Sequence, residues 1–285
     1  MSFIRKTASA AVTGAMLLAA AQANAFQINL GGPLGWVDFN TIDWNENGSA
    51  YVEGFNRDQN GAPIIGDAFT ITAISQATAL ALNSVQTATM VDTAAANPDF
   101  SKISTVELTL KATMYETVQS LSDNIANFIL VGGRFDIFLD ATPEANNLVT
   151  GQGFSDGIRI MGGQFLVGQT GSFTDKNLIP PGAPNADGTG SNNLRAVIDF
   201  VDSAYVTPDP ASSNATTTLQ YGFSAEGWQR PSTIDGSVIG STDTPTDFVM
   251  KADANQTLLV PEPGSVALLG LALAGLGMSR KRKAA

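Results

Sequence analysis

The sequence predicts an all-β protein: an antiparallel β-sandwich with long loops rich in Gly, Asn and Pro, plus a signal peptide and a single C-terminal hydrophobic helix. Three observations support this. Apolar and polar residues alternate along several short segments, turn residues separate those segments, and both ends of the chain carry an uncharged apolar stretch beside basic residues. The predicted organisation is a signal peptide at 1–25, a secreted β domain at 26–260 and a terminal segment at 261–285.

The N-terminal segment has the features of a Sec signal peptide. Arg5 and Lys6 supply the basic region, residues 10–21 are small and apolar, and Ala23 and Ala25 form a small-x-small cleavage site. We expect signal peptidase to cleave before Phe26. The segment therefore predicts the Sec translocon and signal peptidase as partners during export.

The clearest strand of the β domain is predicted at residues 106–114. Apolar residues occupy every second position there, and Glu107, Thr109, Lys111 and Thr113 lie between them. This two-residue period is typical of a half-buried antiparallel strand. Further strands are predicted at 68–74, 134–140, 157–161, 164–168, 194–201 and 216–223. Residues 74–90, rich in Ala, Leu and Gln, offer a helix as an alternative.

Turns and loops are predicted where Gly, Asn and Pro are concentrated. Residues 178–193 and 207–214 are expected to be surface loops, and residues after about 250 a short linker to the terminal segment. Turns are predicted at Gly132-Gly133, 151–153, Gly162-Gly163 and Gly171.

The C-terminal segment consists of Pro261-Glu262-Pro263, an uncharged apolar stretch at 264–279 and a basic cluster at 280–283. As a helix the apolar stretch would be about 24 Å long, slightly short of a bilayer core of about 30 Å. Basic residues stay on the cytoplasmic side of a membrane. We therefore expect the β domain to lie outside the inner membrane.

These three parts, in this order behind a signal peptide, resemble the PEP-CTERM sorting signal. The resemblance implies recognition by an exosortase, a membrane transpeptidase that removes the tail and passes the protein outward. The expected location is transient anchoring in the inner membrane, followed by the cell surface or extracellular matrix. A simple tail anchor that stays in place is the alternative.

The residue composition excludes several classes of function. Residues 26–260 contain nine basic and 25 acidic residues, a net charge of −16; a body this acidic repels phosphate backbones, so no nucleic acid is expected as a partner. The chain has no Cys and no His, which removes thiolate, zinc and imidazole chemistry. Carboxylate chemistry and binding of hard cations through oxygen ligands remain possible.

Residues 43–54 match the start of a calcium-binding loop. Asp43, Asn45 and Asn47 occupy alternate positions, and Gly48 stands where such a loop turns sharply. The match then ends, because the bidentate Glu that calcium loops need at position twelve is Gly54. The segment is interpreted as a turn between two short strands, with calcium held by Asp43, Asn45 and Asn47 as the alternative. No other cofactor is predicted.

Two further groups of residues are candidates for binding or chemistry. Turns and caps explain most oxygen-bearing side chains in loops, but a group of them would converge if residues 138–157 fold back. The group consists of Asp140, Glu144, Asn146, Asn147 and Asp156. Polysaccharide binding usually stacks sugar rings on exposed aromatic faces. The candidates for that role, each interpreted first as a core residue, are Trp36, Trp44 and Trp228.

A closer resemblance covers much of the secreted part. Residues 134–174, with "DATPEANNL" and "GQGFSDG", and residues 187–206 are similar to the middle of the flocculation-associated PEP-CTERM proteins of floc-forming bacteria, as are "AFQINL" and "IDWNENGSA" near the mature start. The resemblance implies a non-enzymatic role in holding cells together within exopolysaccharide, and it supplies no catalytic residue. The alternatives are a carboxylate-dependent glycosidase or lyase acting on envelope polysaccharide and a calcium-dependent carbohydrate-binding module.

Overall fold

The computed structural model describes residues 26–32, 34–59, 61–90, 106–141, 147–175, 188–208, 216–224, 230–239 and 246–259. Within these residues a short helix, α1 (Asn147–Thr150), interrupts an otherwise all-β order. In chain order the strands are β1 (Phe26–Asn29), β2 (Trp36–Phe39), β3 (Thr41–Trp44), β4 (Gly48–Glu53), β5 (Ala68–Leu82), β6 (Val85–Thr89), β7 (Glu107–Ser122), β8 (Ile125–Asp140), β9 (Ile158–Phe165), β10 (Thr170–Asp175), β11 (Gly188–Val201), β12 (Val206–Thr207), β13 (Thr216–Ser224), β14 (Thr233–Ile234), β15 (Ser237–Val238) and β16 (Phe248–Leu259).

Eleven of these strands form one antiparallel sheet that closes on itself. Strands β5, β7 and β8 are neighbours, and β8 pairs along its other edge with β9 and β10, which lie end to end. Both then pair with β11, which continues through β13 to β16. Strand β16 returns to β5 through β3 and β4, again end to end. The predicted all-β antiparallel class is confirmed. The two sheets expected of a sandwich are joined into one closed sheet.

The interior of the closed sheet is filled by the inward residues of the alternating strands. On β7 the predicted inward set of Leu108, Leu110, Ala112 and Met114 is fully buried. At one level of the interior the Phe55 ring lies edge-on to three others, with centroid distances of 5.1, 6.1 and 5.8 Å to Phe69, Phe128 and Phe248. Edge-to-face pairs of this kind add about 0.5–1.5 kcal/mol each beyond the burial of their area.

Two smaller units flank the closed sheet. Helix α1 and the β14–β15 hairpin contribute Leu148 and Ile234 to an outer cluster with Ile74 and Val249. Strands β12, β1 and β2 form a separate three-stranded sheet. Its buried face carries residues such as Phe26, Ile28 and Phe39, and its other face is polar apart from Trp36.

Glycines account for the main errors in the predicted strand boundaries. A Cβ at Gly133 would overlap the Thr113 carbonyl oxygen on β7, so glycine is needed there for the close approach of two strands and not for a turn. The turn predicted at 151–153 is confirmed. The other predicted turns are wrong, because β8, β9 and β10 run through them: Gly132-Gly133, Gly162-Gly163 and Gly171.

Other segments predicted as irregular also belong to the sheet. Strand β11 begins at Gly188, within the predicted loop at 178–193, and strand β16 occupies the residues after 250 that were expected to form a linker. The alternative helix at 74–90 is replaced by the end of β5 and by β6. The body that these strands form is one compact unit, Phe26–Leu259.

Candidate functional site

The polar side of the three-stranded sheet presents an exposed tryptophan among hydrogen-bonding side chains. Strands β1 and β2 pair so that Gln27 lies opposite Asp38 and Asn29 opposite Trp36, which puts all four on one face. Trp36 is 46% exposed. Gln27 Nε2 donates a hydrogen bond of 2.8 Å to Asp38 Oδ1. We call these four residues the Trp36 face.

A cleft of about 310 Å³ adjoins the Trp36 face through Asn29. It lies where β8 ends and β9 begins, and its walls bring together Asp140, Asp156 and Tyr205. Two of the oxygen-bearing residues grouped from the sequence, Asp140 and Asp156, therefore line the same cleft. Glu144 and Asn146 lie outside the described residues, as does the side chain of Asn147.

A second, more acidic recess surrounds the calcium-loop candidate. Residues 45–47 separate β3 from β4 without reversing the direction of the chain, since both strands pair with the same two neighbours, β16 and β5. Asn45 is buried, and its Oδ1 accepts a 2.8 Å hydrogen bond from the Asn47 backbone N–H. This Asx turn is what the turn interpretation expects.

Asp43 is exposed and lines this recess, where Thr78 Oγ1 donates a hydrogen bond of 3.2 Å to Asp43 Oδ2. The recess measures about 440 Å³ and is also lined by Glu46, Asp253 and Asn255. Partial burial, and after it repulsion from Asp43 and Glu46, raise the pKa of Asp253. We call Asp43, Glu46 and Asp253 the acidic recess.

The sequence motif identifies Asp43 but not Asp253 and Glu46, because their approach depends on the pairing of β16 with β3 and on the turn between β3 and β4. The only available signal is the alternation of polar residues along 251–257. Within the described ranges, no group of three or more acidic side chains is arranged so that it could hold a metal ion.

The other aromatic candidates divide clearly. Trp44 is 1% exposed, so its interpretation as a core residue is confirmed, whereas the same interpretation of Trp36 is wrong. Trp228 lies outside the described residues, as do the cleavage-site residues Ala23 and Ala25. No helix within the described part of the chain is long and apolar enough to span a membrane, and the helix predicted at 264–279 is not part of it.

Comparison with known protein families decides the nature of the C-terminal segment. The family model of the PEP-CTERM protein-sorting motif matches residues 259–283, which include Pro261, Glu262 and Pro263. The chain carries a PEP-CTERM sorting motif. No curated protein and no solved structure matches the chain.

The PEP-CTERM motif indicates an exported protein that is processed by exosortase and has a membrane-anchoring sorting signal at its C-terminus. The matched residues begin at Leu259, the last residue of β16. Strand β16 is hydrogen-bonded on both edges, to β13 on one side and to β3 and β4 on the other. The sorting motif therefore begins at the last residue of a central strand of the sheet.

Proposed function

We propose that this exported PEP-CTERM protein is a non-enzymatic component of the cell surface or extracellular matrix that binds exopolysaccharide and promotes flocculation or biofilm cohesion. The Sec translocon and signal peptidase act at residues 1–25, and exosortase acts at the C-terminal motif. The similarity of residues 134–174 to flocculation-associated proteins motivates the cohesive role. The Trp36 face supplies a surface with suitable chemistry.

The exposure of Trp36 is the observation that carries the proposal. An indole on a sheet surface offers a flat apolar face to the C–H groups of a sugar ring. The neighbouring side chains Asn29, Gln27 and Asp38 offer amide and carboxylate groups for the ring hydroxyls. The net charge of −16 on the body disfavours anionic polymers, so the ligand that we propose is a neutral polysaccharide.

Replacing Trp36 tests this surface. Trp36→Ala should weaken binding to purified exopolysaccharide about tenfold, corresponding to a loss of about 1.4 kcal/mol, as measured by calorimetry or by a pull-down titration. Tyr115→Ala is a matched control, because Tyr115 is an aromatic residue on another part of the surface and is 50% exposed. Equal losses in both variants, or no binding by the unaltered protein, would count against the proposal.

The cohesive role itself is tested in cells. Deleting the gene should slow floc settling while leaving exopolysaccharide production unchanged, and a copy encoding Trp36→Ala should restore settling only in part. Unchanged settling in the deletion strain would contradict flocculation even if the purified protein binds polysaccharide.

A glycosidase or lyase is the second candidate, because Asp140 and Asp156 share the cleft next to the Trp36 face. Glycoside hydrolysis uses two carboxyl groups on either side of the scissile bond. An enzyme of this class should release reducing ends or unsaturated sugars from the polymer, and Asp140→Asn or Asp156→Asn should abolish the release. A flat product assay with the unaltered protein removes this candidate.

A further inference from the structure

The closed sheet contains a carboxyl group in its interior. Glu116 lies on β7 at an inward position between Met114 and Val118, and it is 1% exposed. Its register neighbours are Phe69 on β5 and Leu130 on β8, which are both buried. An unpaired carboxylate in such surroundings is strongly disfavoured.

One polar side chain reaches Glu116 from the opposite wall of the sheet. Asn192 on β11 is 3% exposed, and its Nδ2 donates a hydrogen bond of 2.8 Å to Glu116 Oε1. Strands β7 and β11 are not neighbours in the sheet, so this contact crosses the interior. Gly171 on β10 makes room for it, because a Cβ at that position would overlap Asn192 Oδ1.

Two oxygen atoms of this pair have no hydrogen-bond partner among the described residues: Glu116 Oε2 and Asn192 Oδ1, both buried. An ionised carboxylate and an amide oxygen can only accept hydrogen bonds. Leaving buried acceptors without a donor destabilises the folded state. A proton on Glu116 Oε2 would supply the missing donor and would remove the buried charge as well.

The described side chains around Glu116 include no cation that would favour the ionised form. Phe69 faces Glu116 from β5, and Phe128 and Leu130 line the interior from β8. Strand β10 contributes Phe173 to the same part of the interior. Burial raises the pKa of Glu116 to about 7, and the hydrogen bond from Asn192 acts against this increase without cancelling it.

We propose that Glu116 is protonated in the folded protein and forms two hydrogen bonds with Asn192. The closed sheet is then most stable in acid conditions and loses stability as Glu116 ionises. The amide N–H of Asn192 donates to Glu116 Oε1, and the carboxyl O–H of Glu116 donates to Asn192 Oδ1. This device goes beyond the proposed function. It would make an exported protein responsive to the pH of its surroundings.

The direction of the effect follows from the two protonation equilibria. In the unfolded chain Glu116 has its ordinary pKa of 4.5, and in the folded protein the pKa is about 7. Below pH 4.5 both states hold the proton, so the stabilisation is complete. Between pH 4.5 and 7 only the folded state holds it, so stability falls as the pH rises, and above 7 this contribution stays constant.

Glu116→Gln is the decisive variant, because a glutamine amide keeps both hydrogen bonds of the pair without a titrating proton. Between pH 4.5 and 8 the melting temperature of the unaltered protein should fall by about 5–10 °C more than that of Glu116→Gln. Glu53→Gln, which changes an exposed acid on β4, should keep the profile of the unaltered protein. Parallel profiles for the unaltered protein and Glu116→Gln would overturn the proposal.

A direct measurement covers the case in which Glu116→Gln fails to fold. The carboxyl carbon of Glu116 in the isotope-labelled, unaltered protein should show the chemical shift of a protonated acid at pH 5.5 and titrate near pH 7. A Glu116 carbon with the shift of an ionised carboxylate at pH 5.5 would contradict the proposal without any substitution.

Discussion

Two acidic regions of this protein have carboxyl groups whose pKa is raised, and the causes differ. Asp253 in the acidic recess lies at an exposed position of β16, and its pKa is raised first by partial burial and then by repulsion from Asp43 and Glu46. The pKa of Glu116 in the interior is raised by burial alone. Repulsion across water is screened by salt and relieved by cations, whereas a desolvated acid responds to neither. The two regions should therefore respond differently to ionic strength and to pH.

Removing the hydrogen-bond partner of Glu116 should have the largest effect on the stability of either region. Asn192→Leu leaves the Glu116 carboxyl buried without its hydrogen bond, and we expect the free energy of unfolding at pH 7 to fall by about 3 kcal/mol. Urea denaturation followed by tryptophan fluorescence measures the change. The loss should be independent of salt concentration.

The double variant Glu116→Met with Asn192→Leu is the matched control. Replacing both members of a buried polar pair by apolar groups of similar size is nearly neutral, so stability should return close to that of the unaltered protein. If the double variant is less stable than Asn192→Leu alone, the loss reflects packing around Gly171 and not the unpaired carboxyl.

Calcium should act on the acidic recess only, and with a smaller effect. Asn45 Oδ1 is already engaged by the Asn47 N–H, so we expect a weak, non-selective response in which calcium and magnesium raise the melting temperature equally. A calcium-dependent module would instead be stabilised by calcium and not by magnesium, with a gain in the free energy of unfolding of about 1.4 kcal/mol at ten times the Kd. Thermal unfolding with each cation, compared with Asp43→Asn, distinguishes the two results.

The sequence predicts the strand type better than it predicts strand ends. Alternation at 106–114 identifies β7 because one side of that strand faces an apolar interior. Gly132-Gly133 and Gly162-Gly163 interrupt this pattern and are interpreted as turns, but in the structure they lie inside β8 and β9. Their role depends on which strand approaches from the side, and pairing between distant strands is not encoded in any local pattern.

The candidate sites show the same limit. The motif at 43–47 identifies an acidic recess, yet Asp253 joins it through β16, about two hundred residues later in the chain. Glu116 carries a usable signal, because it occupies an inward position of an alternating strand and so breaks the apolar pattern. Its partner Asn192 could not have been predicted, since it lies within a segment that the composition favours as a loop.

Neutralising Asp253 should produce the smallest effect and the clearest contrast. At pH 7 Asp253→Asn removes repulsion with Asp43 and Glu46, so it should stabilise the protein by about 0.3–0.5 kcal/mol at low salt, a small value because these groups face water. In 0.5 M NaCl, where screening acts over about 4 Å, the gain should nearly vanish. The pH-dependent difference between Glu116→Gln and the unaltered protein should persist in the same salt. A gain for Asp253→Asn that survives high salt would mean that repulsion from Asp43 and Glu46 contributes little to it, and the two regions would then differ only in degree.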